Sequence, residues 1–277
     1  MSFVYGIFAL FLSLNSVAMT VLNFNTMCDV CKGSDYFNYE QRAKQIKLII
    51  EKYRPDLVSL QELRTESHLK NIVNNEIYHY HFTTLGPVSY ADPSIAYKKE
   101  YFDLVDDGQF WLGKTDEFNL GWQLSLPRQV IWVRLKHKIT GKEFIFASSH
   151  FDNLRDNLMG SAKKVNQYFR KFKVPIIFAA DTNITEDADY YHELVIEQFL
   201  NAFDLKTSFQ IDGEYQKDKD LCYLRKGKKF PQCRVDHILL SANTKWKVSK
   251  FIINTQKFNN KFPSDHRAVI IDLNFVK

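Results

Sequence analysis

The chain has 277 residues, 45% of them hydrophobic and 25% charged, a balance that suits a folded globular protein and excludes a disordered or fibrous one. The formal charge of +5 is unevenly spread: residues 217–234 carry seven Lys and Arg against two Asp, an excess equal to that of the whole chain. A local patch of this kind points to an anionic partner, which a generally basic composition does not.

Residues 4–14 are apolar or small, and Ser16-Val17-Ala18 offers small residues of the kind a signal peptidase reads. The expectation is a signal peptide over 1–18, although the usual Lys or Arg near Met1 is missing. It is followed by a single domain over 19–277, because no composition break, linker or repeat divides the rest. The apolar run is too short to span a bilayer comfortably, and no later run is long enough. A secreted or periplasmic monomer follows, with no stable membrane association after processing. Four cysteines fit an oxidising compartment. Sequence-local pairing, Cys28 with Cys31 and Cys222 with Cys233, is preferred. Zinc on Cys28-Asp29-Val30-Cys31 is the rival, weakened because the second pair has no Cys-x-x-Cys spacing.

The first strand runs over 21–27, alternating around Asn23 and Asn25. A helix over 39–52 places Ala43, Ile46, Ile49 and Ile50 on one face. The next strand, 56–62, is apolar and ends on Glu62. A short helix over 66–75 precedes strands over 78–83, 94–98, 102–105, 109–112, 128–138 and 143–149. Asp107-Gly108 and Thr140-Gly141 supply turn chemistry between neighbours. The last of these strands delivers His150. A helix over 152–171 carries Leu154, Leu158, Ala162, Val165 and Phe169 in one stripe, and a buried strand over 174–180 stops at Asp181-Thr182-Asn183. A helix over 187–200 follows. Strands over 234–240, 247–255 and 268–275 close the chain, with Ser264-Asp265-His266 before the last. The fold class is α+β, with sheets able to stack as a sandwich and helices outside.

The strand ends therefore present Asn25, Glu62, His150, Asp181 with Asn183, Asp236, and Asp265 with His266. A hard divalent cation such as Mg²⁺ takes oxygen ligands and keeps waters, so one or two carboxylates and an amide suffice. Phosphoester hydrolysis needs such a cation, a group to orient or deprotonate water, and donors for the developing charge. All of these residue types stand at the ends of apolar strands.

The motifs Leu22-Asn23-Phe24-Asn25, Leu60-Gln61-Glu62, Ser149-His150-Phe151-Asp152-Asn153, Ala180-Asp181-Thr182-Asn183, Arg234-Val235-Asp236-His237-Ile238-Leu239 and Ser264-Asp265-His266 resemble, in order, those of the endonuclease/exonuclease/phosphatase superfamily, which includes the DNase I-like nucleases. Gln109-Phe110-Trp111-Leu112 and Pro127-Arg128-Gln129-Val130-Ile131-Trp132 are similar to segments of a bacterial branch. The resemblance implies a four-layer α/β sandwich, with two stacked central mixed sheets flanked by helices. It also implies that Asn25, Glu62 and Asp265 lie on the metal side, with Mg²⁺ as cofactor and Mn²⁺ or Ca²⁺ as substitutes. Asp181 activates water and Asn183 positions it. His150 and His266 bind the phosphoryl oxygens, and Asp236 orients His266. Arg128 grips the substrate phosphate, and Tyr97 is a looser match to a phosphate-contacting tyrosine. Ala180 and Thr182 depart from the Gly and aromatic usual around the catalytic Asp, and His237 stands where Tyr or Arg is frequent.

The expected function is that of an exported, metal-dependent phosphodiesterase acting on nucleic acid by in-line attack of an activated water. Arg225, Lys226, Lys228 and Lys229, with Tyr223 and Phe230, form a candidate nucleic-acid contact. The alternatives are a phosphoesterase for lipid headgroups, inositol phosphates or nucleotides, and a non-catalytic binding protein on the same fold. An exposed aromatic hairpin would favour lipid, and the sequence shows none.

Overall fold

The computed structural model describes residues 16–276 apart from 86–87, 196 and 223–226. Most of the expected signal peptide, and Arg225 and Lys226, lie outside the described residues. Two mixed sheets form the centre. One contains β1 (Ser16–Asn25), β2 (Leu57–Gln61), β3 (Tyr78–Leu85), β4 (Val88–Lys98), β10 (Phe209–Asp212), β12 (Lys245–Asn254) and β13 (Ala268–Val276), in the order β10-β12-β13-β1-β2-β4-β3. The other contains β5 (Phe102–Trp111), β6 (Gln129–His137), β7 (Glu143–His150), β8 (Ile176–Asp181), β9 (Phe199–Asn201) and β11 (Asp236–Ser241), in the order β5-β6-β7-β8-β11-β9. The helices are α1 (Tyr39–Tyr53), α2 (Glu66–Ile72), α3 (Arg155–Phe169), α4 (Tyr191–Val195), α5 (Ala202–Leu205) and α6 (Lys217–Leu221).

The period-two alternation of the strands sorts their side chains into three cores. Val21, Leu57, Phe144, Phe146, Ile177 and Ile238 meet between the sheets. Their neighbours Leu22, Phe24, Val58 and Leu60 turn the other way, onto Ile46 and Ile50 of α1 and Leu69 of α2. Ile145, Ala147 and Phe178 likewise turn onto Leu158, Ala162, Val165 and Phe169 of α3. The result is the expected four-layer sandwich, and each fully buried Phe or Leu contributes about 1.5–3 kcal/mol to it.

The inner faces become polar toward one end. Ser59 Oγ lies 2.7 Å from Ser148 Oγ and donates to the Ala179 carbonyl across the sheet interface. Gln61 Nε2 donates to Asn23 Oδ1 at 3.0 Å. One step further along the same inner faces come Asn25, His150, Asp181 and Asp236. The alternation that builds the hydrophobic core thus also aims these groups into the space between the sheets.

Three expected elements differ. The strands over 102–105 and 109–112 are one strand, β5, with a register shift between Leu104 and Asp106. Gly108 makes no turn there. A Cβ at that position would stand 2.6 Å from the Trp132 ring, so the glycine admits the indole. The helix over 187–200 is only the short α4. Phe199–Asn201 instead pairs with Leu239–Ser241 of β11, a ladder that outweighs helical propensity. Strand β4 starts six residues before the expected 94, passing Pro93 where the β3 pairing shifts register between Phe82 and Thr83. Proline is tolerated at such irregularities. No helix among the described residues is long and apolar enough to cross a membrane.

Candidate active site

Strand register assembles the site. Parallel β7 sets His150 level with Asp181, and antiparallel β11 sets Asp236 level with Asp181. Three adjacent strands therefore end in a row of imidazole, carboxylate, carboxylate. Asp181 Oδ2 lies 3.5 Å from His150 Nε2 and 3.6 Å from His266 Nε2. Each imidazole is held from behind by its own acid. His266 Nδ1 donates to Asp236 Oδ2 at 2.7 Å, and His150 Nδ1 donates to Asp92 Oδ2 at 3.0 Å.

The other sheet brings Asn25 and Glu62 to the same place. Asn25 Nδ2 donates both to Glu62 Oε1 and to Asp181 Oδ2, at 2.9 Å each. Strict alternation would turn Glu62 away, because Gln61 already occupies the inner face of β2. A left-handed backbone at Glu62 (φ 66°) breaks the alternation and returns the carboxylate to the site. Such a conformation costs a non-glycine residue about 1–3 kcal/mol. Glu62 Oε2 is fixed by the backbone N–H of Cys28 at 2.6 Å. Asn183, also left-handed (φ 52°), sends its backbone N–H to Asp181 Oδ1 and its side-chain amide to the Phe151 carbonyl.

Of the expected site residues, Asn25, Glu62, His150, Asp181, Asn183, Asp236 and His266 come together. Asp265 sits half-buried at the edge, with the Ser264 hydroxyl 3.3 Å from Oδ1. Arg128 reaches the site indirectly, its Nη1 3.4 Å from Asp92 Oδ2. Tyr97 does not belong to the site. It is buried between the sheets beside Leu57 and His79, five residues from Asp92 toward the far end of β4. At the rise of a strand that is about 16 Å away. The residue missed at this end is Asp92 itself. Its signal is a carboxylate just before an apolar segment, obscured by Pro93.

The basic segment also changes. Arg234 is buried and ion-paired with Glu186, so it adds nothing to the surface charge. Lys228 is tied to Asp187, while Lys229 is exposed. What borders the site is the base of the segment: the Cys222–Cys233 disulfide lines a pocket with Asp236, Asp265 and His266. Both cysteine pairs are the sequence-local ones.

No family model matches the chain, and no curated protein does. Solved structures match across nearly its whole length. An endonuclease/exonuclease/phosphatase family protein of Bacteroides thetaiotaomicron superposes with TM-score 0.77 at 23% identity, covering 95% of this chain and 99% of its own. The chain has the endonuclease/exonuclease/phosphatase fold. A mannosyl-6-phosphatase of the same organism aligns at TM-score 0.73 and 23% identity, covering 92% of this chain and 99% of its own. TDP2 from D. rerio, solved with a single-stranded DNA product, aligns at TM-score 0.69 and 17% identity, covering 92% and 98%.

On this endonuclease/exonuclease/phosphatase fold the electrostatics of the site are those of a buried charge cluster. Burial alone would lower the pKa of His266. Asp236 and Asp181, with the Asp236 hydrogen bond, outweigh burial and raise it to about 10. Burial would raise the Asp181 carboxyl, but His266, His150 and the Asn25 donor hold it below the usual range. Asp92 is likewise held down against burial by His150 and Arg128. Asp236 is pushed up by burial, against the pull of His266. The donor set suits a hard cation, since Glu62 and Asp181 each bring a carboxylate oxygen to within 2.9 Å of the Asn25 amide. At present one amide NH₂ separates the carboxylates of Glu62 and Asp181, and a divalent cation would neutralise the surplus charge they share.

His237, between the two site motifs, faces away from the cluster. Its Nε2 lies 2.9 Å from the Ile184 carbonyl, to which it donates, and its Nδ1 accepts from Asn201. Burial, with Arg234 nearby, lowers its pKa to about 3, against about 6.5 in an unfolded chain. The unfolded state therefore binds this proton first. The stabilisation is complete above pH 6.5 and is lost as pH falls toward 3, about 5 kcal/mol at its fullest. His237→Gln is expected to be less stable at pH 7 but to flatten the pH dependence of urea midpoints between pH 6.5 and 4. An unchanged slope would contradict this role.

Proposed function

We propose that the protein is a divalent-metal-dependent hydrolase of phosphoesters, with the phosphodiester of a nucleic acid as substrate. The observation that carries this reading is a buried carboxylate, Asp181, set between two imidazoles that are each oriented by a second carboxylate. Asp181 accepts the proton of the attacking water, and Asn183 fixes the carboxylate that does so. His266 and His150 donate from Nε2 to phosphoryl oxygens, where charge builds during in-line displacement. Asp236 and Asp92 accept from Nδ1 of each ring and so aim Nε2 at the phosphoryl group. Arg128 adds a cation on the His150 side. Glu62 and Asn25 hold the metal, magnesium by donor type, with manganese or calcium as substitutes, and Asp265 adds negative charge beside them. When bound, the cation neutralises the phosphate and polarises it.

Among the structural neighbours, one is described as a sugar phosphatase and another carries a DNA product, so the fold leaves the substrate class open. One observation favours a second reading, an amphiphilic phosphoester. The segment between β5 and β6 exposes Leu124 by 80%, Leu126 by 60% and Phe118 by 56%. It is docked on the His150 side: Asn157 Oδ1 accepts the Trp122 and Gln123 N–H groups at 2.7 Å, and Asn157 Nδ2 donates to Asp152.

A substrate panel tests both readings. Plasmid DNA, single-stranded DNA, RNA, a sphingomyelin-type vesicle and a sugar phosphate are incubated with Mg²⁺ or with chelator. Metal-dependent cleavage of nucleic acid is expected. Turnover of the vesicle alone would favour the amphiphile, chelator-resistant turnover would refute the metal role, and no turnover at all would favour a binding protein.

A further inference from the structure

The geometry points to a second metal site, open only when the first disulfide is reduced: Cys28 and Cys31 together with Glu62, taking a soft divalent cation such as Zn²⁺. The two sulfurs and a Glu62 oxygen lie within 4.8 Å of one another. The glutamate is the one assigned above to the magnesium side, so the predicted effect on activity rests on that reading, whereas the binding site does not.

The turn that carries the sulfurs is held by contacts that involve neither of them. Arg42 donates to the carbonyls of Thr26, Met27 and Cys28 at 2.6, 3.0 and 2.8 Å. The Cys28 N–H donates to Glu62 Oε2, and the Cys31 N–H to the Cys28 carbonyl at 3.2 Å. Opening the S–S bond therefore leaves both cysteines beside the carboxylate. Cys31 is exposed and Cys28 half-buried, whereas the Cys222–Cys233 pair is buried, so a reductant meets the first pair more readily.

The step balances with a dithiol reductant. One thiolate of the dithiol attacks Cys31 Sγ, the Cys28–Cys31 bond breaks, and the second thiolate closes the reagent into its own disulfide. Two electrons and two protons pass to the cysteines. Zinc then displaces the two thiol protons, taking two thiolates, one Glu62 oxygen and a water. With Zn–S distances of about 2.3 Å, tetrahedral ligation places the sulfurs about 3.8 Å apart, a small separation for a Cys-x-x-Cys turn. Thiolates favour zinc over magnesium, so the oxidised turn leaves Glu62 to the hard cation and the reduced turn withdraws it.

Co²⁺ serves as the spectroscopic probe. The protein is reduced with excess dithiol, freed of it under anaerobic conditions and titrated with Co²⁺. One equivalent is expected to bind with a near-ultraviolet sulfur-to-cobalt charge-transfer band, absent from the oxidised protein. The band should be lost or at least halved in Cys31→Ser, and Glu62→Gln should weaken binding about tenfold or more. No band in the reduced wild type, a full band in Cys31→Ser, or unchanged affinity in Glu62→Gln would each overturn the proposal. Stoichiometric Zn²⁺ should also suppress Mg²⁺-dependent turnover in the reduced protein only. Because the band is read without substrate, a protein that binds cobalt as described but hydrolyses nothing would sink the proposed function and leave this site standing.

Discussion

Replacing Asp181 with Asn is expected to lower kcat about 10⁴-fold, or about 5 kcal/mol of transition-state stabilisation, while the fold survives. Oδ1 receives the Asn183 N–H and Oδ2 the Asn25 amide. An Asn at this position can satisfy one of these donors with its oxygen and must set its NH₂ against the other. That local conflict costs about 1–3 kcal/mol, which a domain with three cores can absorb. The chemical loss is larger, because a neutral amide cannot take the proton of the attacking water. It also removes the charge that holds His266 protonated jointly with Asp236. The measurement is single-turnover rate at saturating metal and substrate, with near-ultraviolet circular dichroism as a check on folding. A folded variant retaining kcat within tenfold of wild type would remove Asp181 from the reaction.

What could be read from the sequence was where apolar strands stop. His150, Asp181 and Asp236 each end a run whose alternation is plain, and β-pairing in register then brings such ends level without further information. The approach of Asn25 from the other sheet was legible for the same reason. Glu62 is different. Its place at a strand end was visible, but alternation predicts the wrong face, and only the left-handed backbone at that residue corrects it. Asp92 was hidden because Pro93 reads as a strand break, whereas β4 passes through it at an irregular register. Tyr97, a looser match by resemblance, lies in a regular part of the same strand, where a tyrosine simply packs in the core. The charge at 217–234 is smaller at the surface than composition suggests. Composition counts Arg234 as surface charge, while folding turns it inward onto Glu186. The short helix α4 and strand β9 were unreadable locally, since Phe199–Asn201 is a strand only because β11 offers a free edge.

Arg42→Met is expected to cost about 3–5 kcal/mol of stability, seen as a fall in Tm of about 10 °C. This arginine had a sequence signal, since it shares the helical face of Ile46 and Ile49, but its charge hid it among Lys44 and Lys47. Its side chain is fully buried. Besides the three carbonyls of residues 26–28, Nε donates to the Phe37 carbonyl at 3.2 Å. Burial lowers its pKa, and Asp265, Tyr39 and Glu62 pull it back up. Methionine fills much of the volume but leaves four backbone carbonyls without their cation. Those acceptors belong to the main chain and cannot be replaced by apolar groups, so the compensation available to some buried ion pairs is denied here. Arg42→Lys, a point charge without the planar fork, should fall between the two. The loss also reaches the site. With the turn relaxed, the Cys28 N–H no longer fixes Glu62, and the Mg²⁺ concentration needed for half-maximal activity is expected to rise about tenfold. A Tm within about 3 °C of wild type would show that the turn after β1 is held by something other than this guanidinium.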